Sequence, residues 1–527
     1  MTATARLTHP FLQCRFGQPG SERQQGKFAT MAGETVQMSR NAIPPAASAL
    51  REKLRGMLIG GAWRKGGGPL FLHRYAGDTD TITPVELASI ADVDVAIASA
   101  HSAKAAWRET DPGYRERLLH RLADLIVQHG EDLAILQTLD TGFPISASRQ
   151  LIPFMEGWTR YYAGFCDKIE GGAFSQFSHG RYFLQREPYG VVAIILTWNM
   201  PITSVCMKAM AALAAGNCVV IKSPEMAPFG MMRMGELFVE AGFPAGVVNI
   251  LPTGPEGGHA LVADPRVGKI SFTGGAATAE KVMVSAAANI TPTILELGGK
   301  SACVIFDDAD LDRAIPFAAS FPFAATGQAC ILPTRMLVQD SIYDAVVERV
   351  TRIVETFKPG DPFAEATQFG PLIGKSAVDR ITRIVEQVNQ TSSGRIVLGG
   401  HPITGEFAAG AYFEATLVVD VDPASSLFCE EAFGPVLALS RFTDEDEAIT
   451  LANATRFGLY SYIWTRDIAR AMRIADAMEA GSAAINGFAG LVPQVPFGGV
   501  GISGYGKEGG REGLNEFLRT KTIFIGN

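Results

Sequence analysis

The segment GVVAIILTWNMP, residues 190–201, decides the fold, because it joins a buried strand to a group of polar side chains. Residues 191–195 are apolar and rich in β-branched side chains, which is typical of a strand covered on both faces of a parallel sheet. The run is too short to cross a membrane, for which roughly 20 apolar residues are needed. Thr197, Trp198 and Asn199 follow at the end of the strand, where open α/β sheets bind their ligands.

The same pattern recurs along the chain. Short β-branched runs separated by helix-like segments lie at 191–195, 219–221, 247–251, 270–272 and 302–306. Such alternation predicts right-handed crossovers and a doubly wound parallel sheet, a common site for dinucleotides. A second alternation follows Cys330 and predicts a second α/β domain, with strands at 336–338, 396–398, 436–440, 462–465 and 483–485 and helices at 343–356 and 377–388.

Two further regions complete the predicted fold. Apolar residues at helical spacing predict helices near 92–107, 118–126, 133–139 and 152–162. Residues 181–187 alternate in polarity between Gly180 and Pro188, and residues 517–525 are again strand-like. We expect these two strands to pair within one subunit or between neighbours. Because exposed strand edges are usually covered, we also expect a homodimer or a homotetramer.

Composition narrows the function classes. A chain of 527 residues requires two or three domains, and 47% hydrophobic and 19% charged residues are ordinary for a globular enzyme. A net charge of −8 argues against nucleic-acid binding, which needs a basic surface. The seven cysteines are scattered and lack metal-type spacing, so we expect free thiols, no metal site and a cytoplasmic location. No apolar run is long enough for a membrane helix, so we expect no membrane partner.

Residues 1–49 show little apolar periodicity and lack the apolar centre of a secretory signal. We expect an unstructured tail, or a translation start later than Met1, for which Met31, Met38 and Met57 are candidates. The scarcity of acidic residues before Glu22 leaves a transit peptide open. The globular part is expected to begin near Leu54.

Cys330 is the candidate nucleophile. It ends the segment Gly327-Gln328-Ala329-Cys330, which follows a helix-like run at 311–323, and its small neighbours would let a carbonyl group approach. A lone free cysteine is more often a buried structural residue. Polar, glycine-rich motifs elsewhere favour the functional interpretation; they lie at 197–201, 222–225, 272–275, 296–300, 430–435 and 496–499.

Taken in order, these motifs resemble those of the NAD(P)-dependent aldehyde dehydrogenase superfamily, from about Leu58 to the C-terminus. The resemblance implies an α/β fold with a Rossmann-type cofactor domain, a second α/β catalytic domain and a small β oligomerisation arm. The corresponding ranges are 51–169 and 189–298 for the NAD-binding domain, 299–510 for the catalytic domain, and 170–188 with 511–527 for the arm, after a disordered tail at 1–50.

The resemblance also implies a catalytic set. Cys330 would attack the aldehyde carbon, since a thiolate is a natural nucleophile for it, and form a thiohemiacetal. The Asn199 amide and the Cys330 backbone N–H would stabilise the oxyanion. Glu296 would activate water to hydrolyse the later thioester. Lys208 and Glu508 match a pair proposed in the family to relay protons.

The cofactor implied is NAD. Lys222 and Glu225 match the pair that holds the adenosine ribose, and a carboxylate there would repel a 2′-phosphate, which favours NAD over NADP. The complete set of cofactor residues is Thr197, Trp198, Lys222, Ser223, Glu225, Gly274, Gly275, Leu297, Glu431 and Phe433. Many family members have Ser where Gly275 stands and Gly where Ala279 stands, and residues 222–224 reverse a common Pro-Ser order; loss of the hydroxyl at 275 would loosen the hold on the pyrophosphate.

Positions that match the family's substrate tunnel carry no charge; they are Met200, Ser204, Met207, Ala329, Ile331, Ala489 and Leu491. A semialdehyde of an acid would need a basic residue, and betaine aldehyde an aromatic cage. We therefore expect a neutral, apolar aldehyde, aliphatic or aromatic. Two alternatives stay open: acyl transfer to coenzyme A, which the carboxylate at Glu296 disfavours, and a non-catalytic binding or structural relative, which would be free to lose Cys330, Glu296 or Asn199.

Overall fold

The computed structural model describes residues 42–527. Its helices are α1 (Pro45–Glu52), α2 (Ile90–Arg108), α3 (Pro112–Gln128), α4 (Gly130–Thr141), α5 (Ile145–Ala163), α6 (Pro201–Ala214), α7 (Phe229–Ala241), α8 (Pro255–Ala263), α9 (Ala276–Ala287), α10 (Leu311–Ser320), α11 (Tyr343–Val354), α12 (Lys375–Thr391), α13 (Ser426–Cys429), α14 (Glu445–Asn453), α15 (Ile468–Ala477) and α16 (Gly510–Asn515). Its strands are β1 (Met57–Ile59), β2 (Ala62–Arg64), β3 (Leu70–Tyr75), β4 (Asp78–Glu86), β5 (Gly172–Phe174), β6 (Gly180–Pro188), β7 (Val191–Ile195), β8 (Cys218–Ser223), β9 (Val248–Pro252), β10 (Lys269–Thr273), β11 (Thr293–Glu296), β12 (Ala302–Ile305), β13 (Arg335–Gln339), β14 (Arg395–Leu398), β15 (Thr416–Val419), β16 (Val436–Phe442), β17 (Phe457–Gly458), β18 (Tyr460–Trp464), β19 (Ser482–Ile485), β20 (Val500–Gly501), β21 (Gly504–Tyr505) and β22 (Leu518–Gly526).

The first sheet has the order β2-β1-β9-β8-β7-β10-β11-β21. The five strands β9, β8, β7, β10 and β11 run parallel to one another. The reversal of strand order beside β7 is the topological switch point at which such sheets bind ligands. β7 is buried along its whole length, in agreement with the apolar run that predicts it. One predicted strand lies elsewhere: β12 belongs to the second sheet, and β11 takes its place in the first.

The second sheet has the order β14-β15-β16-β13-β12-β18-β19 and is parallel except at its β14 edge. It confirms the predicted second α/β unit. The two units are not separated at a single position in the sequence, because β21, inside the range 299–510, pairs with β11 of the first sheet. The chain thus returns to the cofactor sheet shortly before its end.

The arm is a three-stranded antiparallel sheet with the order β22-β6-β5. β6 and β22 pair over their full lengths, from Pro188 opposite Leu518 to Gly180 opposite Gly526. The two strands predicted to pair therefore do so within one chain. The buried Asn217 ties the arm to the first unit, because its amide donates to the Phe517 carbonyl at 3.0 Å and its Oδ1 accepts from the Gly190 N–H at 2.9 Å.

Ordered structure begins earlier than the predicted start near Leu54. Helix α1 packs Leu50 onto a small apolar cluster with Tyr75, and Arg51 donates to the Thr83 hydroxyl at 2.7 Å. These contacts with the β3–β4 hairpin explain why the helix forms before the predicted boundary at residue 50. The predictions for residues 1–41 lie outside the described residues.

The apolar run before the nucleophile also ends sooner than predicted. Helix α10 stops at Ser320 rather than at Phe323, and a 3-10 segment that includes Pro322 continues to Gly327. Ala325, Thr326 and Gly327 then take left-handed backbone angles, which interrupts any regular helix. The irregular turn directs the chain toward the edge of the first sheet.

None of the helices in residues 42–527 is long and apolar enough to span a membrane.

Candidate active site

The ends of neighbouring parallel strands bring the motifs together. Lys222 in β8 pairs with Ile195 in β7, so the segment 197–199 emerges beside the Lys222 motif. Thr273 in β10 pairs with Glu296 in β11 in the same way. Because carboxyl ends of parallel strands meet at one edge, four motifs that are distant in sequence lie along the same edge of the sheet.

Cys330 reaches this cleft through close main-chain packing. A β-carbon on Gly299 would lie 2.3 Å from the Cys330 carbonyl oxygen, and one on Gly327 would lie 2.2 Å from the Gly434 carbonyl carbon. Gly327 also has a φ of +75°, which other residues avoid. Glycine is therefore required on both sides of the nucleophile, and the sequence pattern around Cys330 has a packing cause.

Asn199 lies against the nucleophile segment. Its Nδ2 donates to the Gln328 carbonyl at 2.9 Å, and its own carbonyl accepts from the Gln137 Nε2 at 2.9 Å. An amide nitrogen carries two hydrogens, so the second remains available for a substrate oxygen. Because Gln328 lies two positions before Cys330, this hydrogen bond fixes the Asn199 donor next to the nucleophile, as an oxyanion site requires.

Glu296 is a buried carboxyl group beside Cys330 in the same cavity. It is 5% exposed, and its Oε1 has no hydrogen-bond partner among the described residues. Burial, together with repulsion from Glu508, raises its pKa well above the ordinary value, while Lys208 acts in the opposite direction. A carboxyl group with a raised pKa is suited to accept a proton near neutral pH.

Glu508 and Lys208 form a buried ion pair next to Glu296. Lys208 also donates to the Ser271 hydroxyl at 3.2 Å, so its ammonium group is held by two partners. Glu508 lines the cavity, whereas Lys208 lies behind it. This ion pair places a second carboxylate near the reacting groups and partly neutralises it.

The thiol itself is poised as a neutral group. Burial and the nearby carboxylates Glu296 and Glu431 raise the pKa of Cys330 well above its ordinary value. The thiol therefore needs a base to become a nucleophile, because only the thiolate is strongly reactive. Glu296, with its own raised pKa, can take that proton.

The cleft is a cavity of about 400 Å³. Predicted residues that line it are Thr197, Trp198, Asn199, Met200, Ser204, Met207, Gly274, Gly275, Glu296, Leu297, Ala329, Cys330, Ile331, Glu431, Phe433, Leu491 and Glu508. Lys208, Lys222, Ser223 and Glu225 lie outside this lining. Ala489 lies outside it too: the residue is exposed, and its neighbour Phe488 enters the cavity instead.

The nicotinamide end of the predicted cofactor site is formed by Glu431 and Phe433. Glu431 accepts a hydrogen bond from the Gly299 N–H at 2.9 Å, and a β-carbon on Gly298 would lie 2.2 Å from its Oε2. Burial raises the pKa of Glu431 to about 7, an effect that this hydrogen bond and the nearby Lys300 and Arg380 oppose. The Trp198 ring meets the Phe433 ring edge-on, with centroids 5.4 Å apart.

The phosphate and adenosine parts of the site also suit NAD. Helix α9 has no side-chain cap, and a β-carbon on Gly275 at its start would meet open space, which leaves its first N–H groups free for an anion. Ser223 Oγ and Thr273 Oγ1, at the ends of the two strands that flank β7, are buried and lack partners among residues 42–527. Lys222 Nζ contacts Glu225 Oε2 at 2.7 Å, so the two residues predicted to hold the adenosine ribose lie side by side.

Several cavity residues were missed by sequence reasoning. They are aromatic or otherwise apolar, except for one arginine and one threonine: Phe143, Leu151, Phe154, Thr203, Phe321, Ala324, Ala325, Leu332, Arg380, Phe488 and Phe497. Leu151 and Phe154 lie one helical turn apart on α5, a spacing that predicts a shared face but does not show what it contacts. The structure therefore adds five phenylalanine rings to a tunnel that the sequence predicted without an aromatic cage.

Comparisons with known proteins agree with this geometry. The family model described as the aldehyde dehydrogenase family matches residues 70–523. Betaine aldehyde dehydrogenase of Cereibacter sphaeroides is 36% identical over 458 residues, which cover 86% of this chain and 93% of that protein. Cytosolic 10-formyltetrahydrofolate dehydrogenase of Xenopus tropicalis is 37% identical, and the match covers 86% of this chain but 52% of that protein. The chain therefore spans about half the length of that relative.

Solved structures give the same result. A putative aldehyde dehydrogenase from Burkholderia cenocepacia has a TM-score of 0.87 and 38% identity, with 90% of this chain and 97% of that chain covered. Betaine aldehyde dehydrogenase from Staphylococcus aureus, solved with NAD⁺, has a TM-score of 0.88 and 32% identity, with 93% and 98% covered. From the family match, these likenesses and the assembled cleft, it follows that the chain belongs to the aldehyde dehydrogenase family.

Proposed function

We propose that this chain uses NAD to oxidise a neutral, apolar aldehyde, aliphatic or aromatic, to the carboxylic acid, which it releases by hydrolysis. The observation that carries the proposal is the shared cavity in which Cys330, Asn199 and Glu296 meet a largely apolar lining. Each of the three groups has a separate task in acyl chemistry.

The reaction begins with proton transfer from the Cys330 thiol to Glu296. The resulting thiolate attacks the aldehyde carbon, and a C–S bond forms as the carbonyl oxygen becomes an oxyanion. The free N–H of the Asn199 amide and the Cys330 backbone N–H stabilise that charge. Bound NAD supplies the hydride acceptor for the oxidation.

Hydrolysis completes the reaction. The oxidised carbon remains on Cys330 as a thioester, and Glu296 first releases to solvent the proton that it took from the thiol. The Glu296 carboxylate then takes a proton from water as the water oxygen attacks the thioester carbon. The C–S bond then breaks, so the acid leaves and the thiolate is restored. A buried carboxyl group with no partner for its Oε1 has the freedom to serve in both proton transfers.

Substrate choice follows from charge in the lining. Arg380 is the one basic residue that lines the cavity within residues 42–527, and its guanidinium group is bonded to main-chain carbonyls. A substrate carboxylate would find no free cation, while Glu296, Glu431 and Glu508 would repel it. These features disfavour semialdehydes of acids and support a neutral substrate.

A second candidate is an aldehyde that carries a quaternary ammonium group. The rings of Phe143, Phe154, Phe321 and Phe488 line the cavity, and aromatic faces attract such cations. Two of the similar proteins described above are named betaine aldehyde dehydrogenases. We rank this candidate second because Phe is a weaker partner for cations than Trp.

The Cys330→Ala variant should lose aldehyde-dependent NADH production by on the order of 10³-fold or more, because no other group in the cleft can form the thioester. The variant should still bind NADH, which fluorescence titration measures. Cys429→Ala is the matched control, since Cys429 is the other partly exposed cysteine among the described residues. Retained turnover in Cys330→Ala would contradict the assigned nucleophile.

The Glu296→Gln variant should slow steady-state turnover by about 10²–10⁴-fold, because the thioester loses its general base. Added coenzyme A should not accelerate the wild-type enzyme; acceleration would support acyl transfer instead. Glu280→Gln, on an exposed face of α9, is the control for Glu296→Gln.

Wild-type activity should increase as the pH rises above neutrality, since Glu296 and Cys330 both have raised pKa values and both react in the ionised form.

An aldehyde panel tests the substrate class. With NAD in excess, kcat/KM for hexanal or benzaldehyde should exceed that for succinic semialdehyde by about tenfold or more, because a carboxylate would enter the cavity unpaired. NADH absorbance gives the rates. Preference for the semialdehyde would reject the proposal, and preference for betaine aldehyde would establish the second candidate.

We also propose that the chain forms a homodimer or homotetramer through the arm. Strand β22 is an unpaired edge that exposes apolar side chains, with Phe524 50% and Ile525 55% exposed. Light scattering should give a mass of two or four chains. The Phe524→Lys/Ile525→Glu variant places charges on this edge and should shift the mass toward that of one chain. A monomeric wild type would refute the assembly.

A further inference from the structure

The segment 370–381 contacts the nucleophile turn from one side. The Thr326 hydroxyl donates to the Gly370 carbonyl at 3.1 Å, and the Ile373 N–H donates to the Gln328 Oε1 at 2.9 Å. Both contacts lie within four residues of Cys330. The start of this segment therefore helps to hold the left-handed turn that presents the thiol.

The end of the same segment contacts the loop that carries Glu431 and Phe433. Arg380, on α12, donates from Nε to the Ala432 carbonyl at 3.3 Å and from Nη2 to the Phe433 carbonyl at 3.2 Å. A β-carbon on Gly434 would lie 2.0 Å from the Ile381 Cδ1, so the helix presses directly on the loop. One segment thus links the nucleophile turn to the predicted nicotinamide loop.

The loop needs support from outside. Phe433 has a φ of +50°, a left-handed angle that is unfavourable for a residue other than glycine and persists only where neighbours impose it. The contacts that hold its backbone from the helix side come from Arg380. On its other side Gly434 packs against Gly327 of the nucleophile turn.

Arg380 is committed to this task. Within residues 42–527 no carboxylate lies within ion-pair distance of its guanidinium group, which donates to the two loop carbonyls instead. Partial burial lowers the pKa of Arg380. Its next neighbour of the same type on α12, Arg383, is exposed and donates only to the Asp379 carbonyl of its own helix. The difference between the two arginines indicates a specific use for Arg380.

We propose that Arg380 is a positioning residue that fixes the Glu431–Phe433 loop and thereby sets the affinity for the nicotinamide half of the cofactor. Through segment 370–381 and the Gly434–Gly327 contact, it also affects how the Cys330 turn is presented. The proposal rests on the assignment of Glu431 and Phe433 to the cofactor site and not on the substrate class.

The test compares Arg380→Gln, Arg380→Lys and the matched control Arg383→Gln. In Arg380→Gln, the Kd for NADH by fluorescence titration and the KM for NAD should each rise about tenfold to hundredfold, as expected for loss of charged hydrogen bonds. The kcat and the KM for the aldehyde should change by less than about threefold. Arg380→Lys should recover part of the affinity, and Arg383→Gln should match wild type.

A second readout needs no cofactor. The rate at which iodoacetamide alkylates Cys330, followed by mass spectrometry, should change in Arg380→Gln and stay at the wild-type value in Arg383→Gln. Unchanged NADH affinity in a folded Arg380→Gln variant would overturn the proposal, as would Arg380→Lys behaving like Arg380→Gln. A wild type that binds NADH but does not oxidise apolar aldehydes would refute the proposed function alone; one that does not bind NADH would refute both.

Discussion

The site depends on main-chain contacts that leave no space for a β-carbon. A β-carbon on Gly298 would overlap the Glu431 carboxylate, and one on Gly299 would overlap the Cys330 carbonyl. On the far side, Gly327 and Gly434 meet backbone to backbone. Protein interiors are packed too densely to absorb such overlaps, so larger residues would push the strand end, the nucleophile turn and the cofactor loop apart.

This close packing also brings three carboxyl groups close to the Cys330 thiol, and their charges determine the chemistry. Glu296, Glu431 and Glu508 lie around one thiol in a partly enclosed cleft, and Lys208 forms an ion pair only with Glu508. Burial and mutual repulsion raise the pKa values of Glu296 and Cys330 together. The raised pKa makes the Glu296 carboxylate a stronger base beside the thiol, so a proton can move from the sulfur to the ionised carboxylate without solvent.

The sequence predicted the parts of this site that depend on strand ends. Asn199 and Lys222 each follow or end a short apolar run, and the topology of parallel sheets brings such positions together whatever their sequence separation. Glu296 was assigned from the family resemblance of its motif, before the predicted strand at 302–306. Strand β11 was missed because Ile294 and Leu295 are its only apolar residues, too few to show a pattern. Its identity as a strand comes from pairing with β10.

Contacts between segments that are distant in the chain could not be predicted from the sequence. Phe488 enters the cavity while Ala489 faces outward, a one-residue difference that depends on the loop after β19 and not on any local pattern. Arg380 lies on an amphipathic helix where a basic residue is normally solvated. Only the position of the Ala432 and Phe433 carbonyls shows its role.

The apolar lining and the proton chemistry support each other. The apolar lining lowers the local dielectric constant, which strengthens the repulsion among the carboxylates and raises the pKa of Glu296, so that its carboxylate is a better proton acceptor. A substrate carboxylate would add a negative charge to this set and raise the pKa of Cys330 further, away from the thiolate. A neutral aldehyde leaves the balance intact, so the preference for an uncharged substrate follows from the same burial that makes Glu296 a usable base.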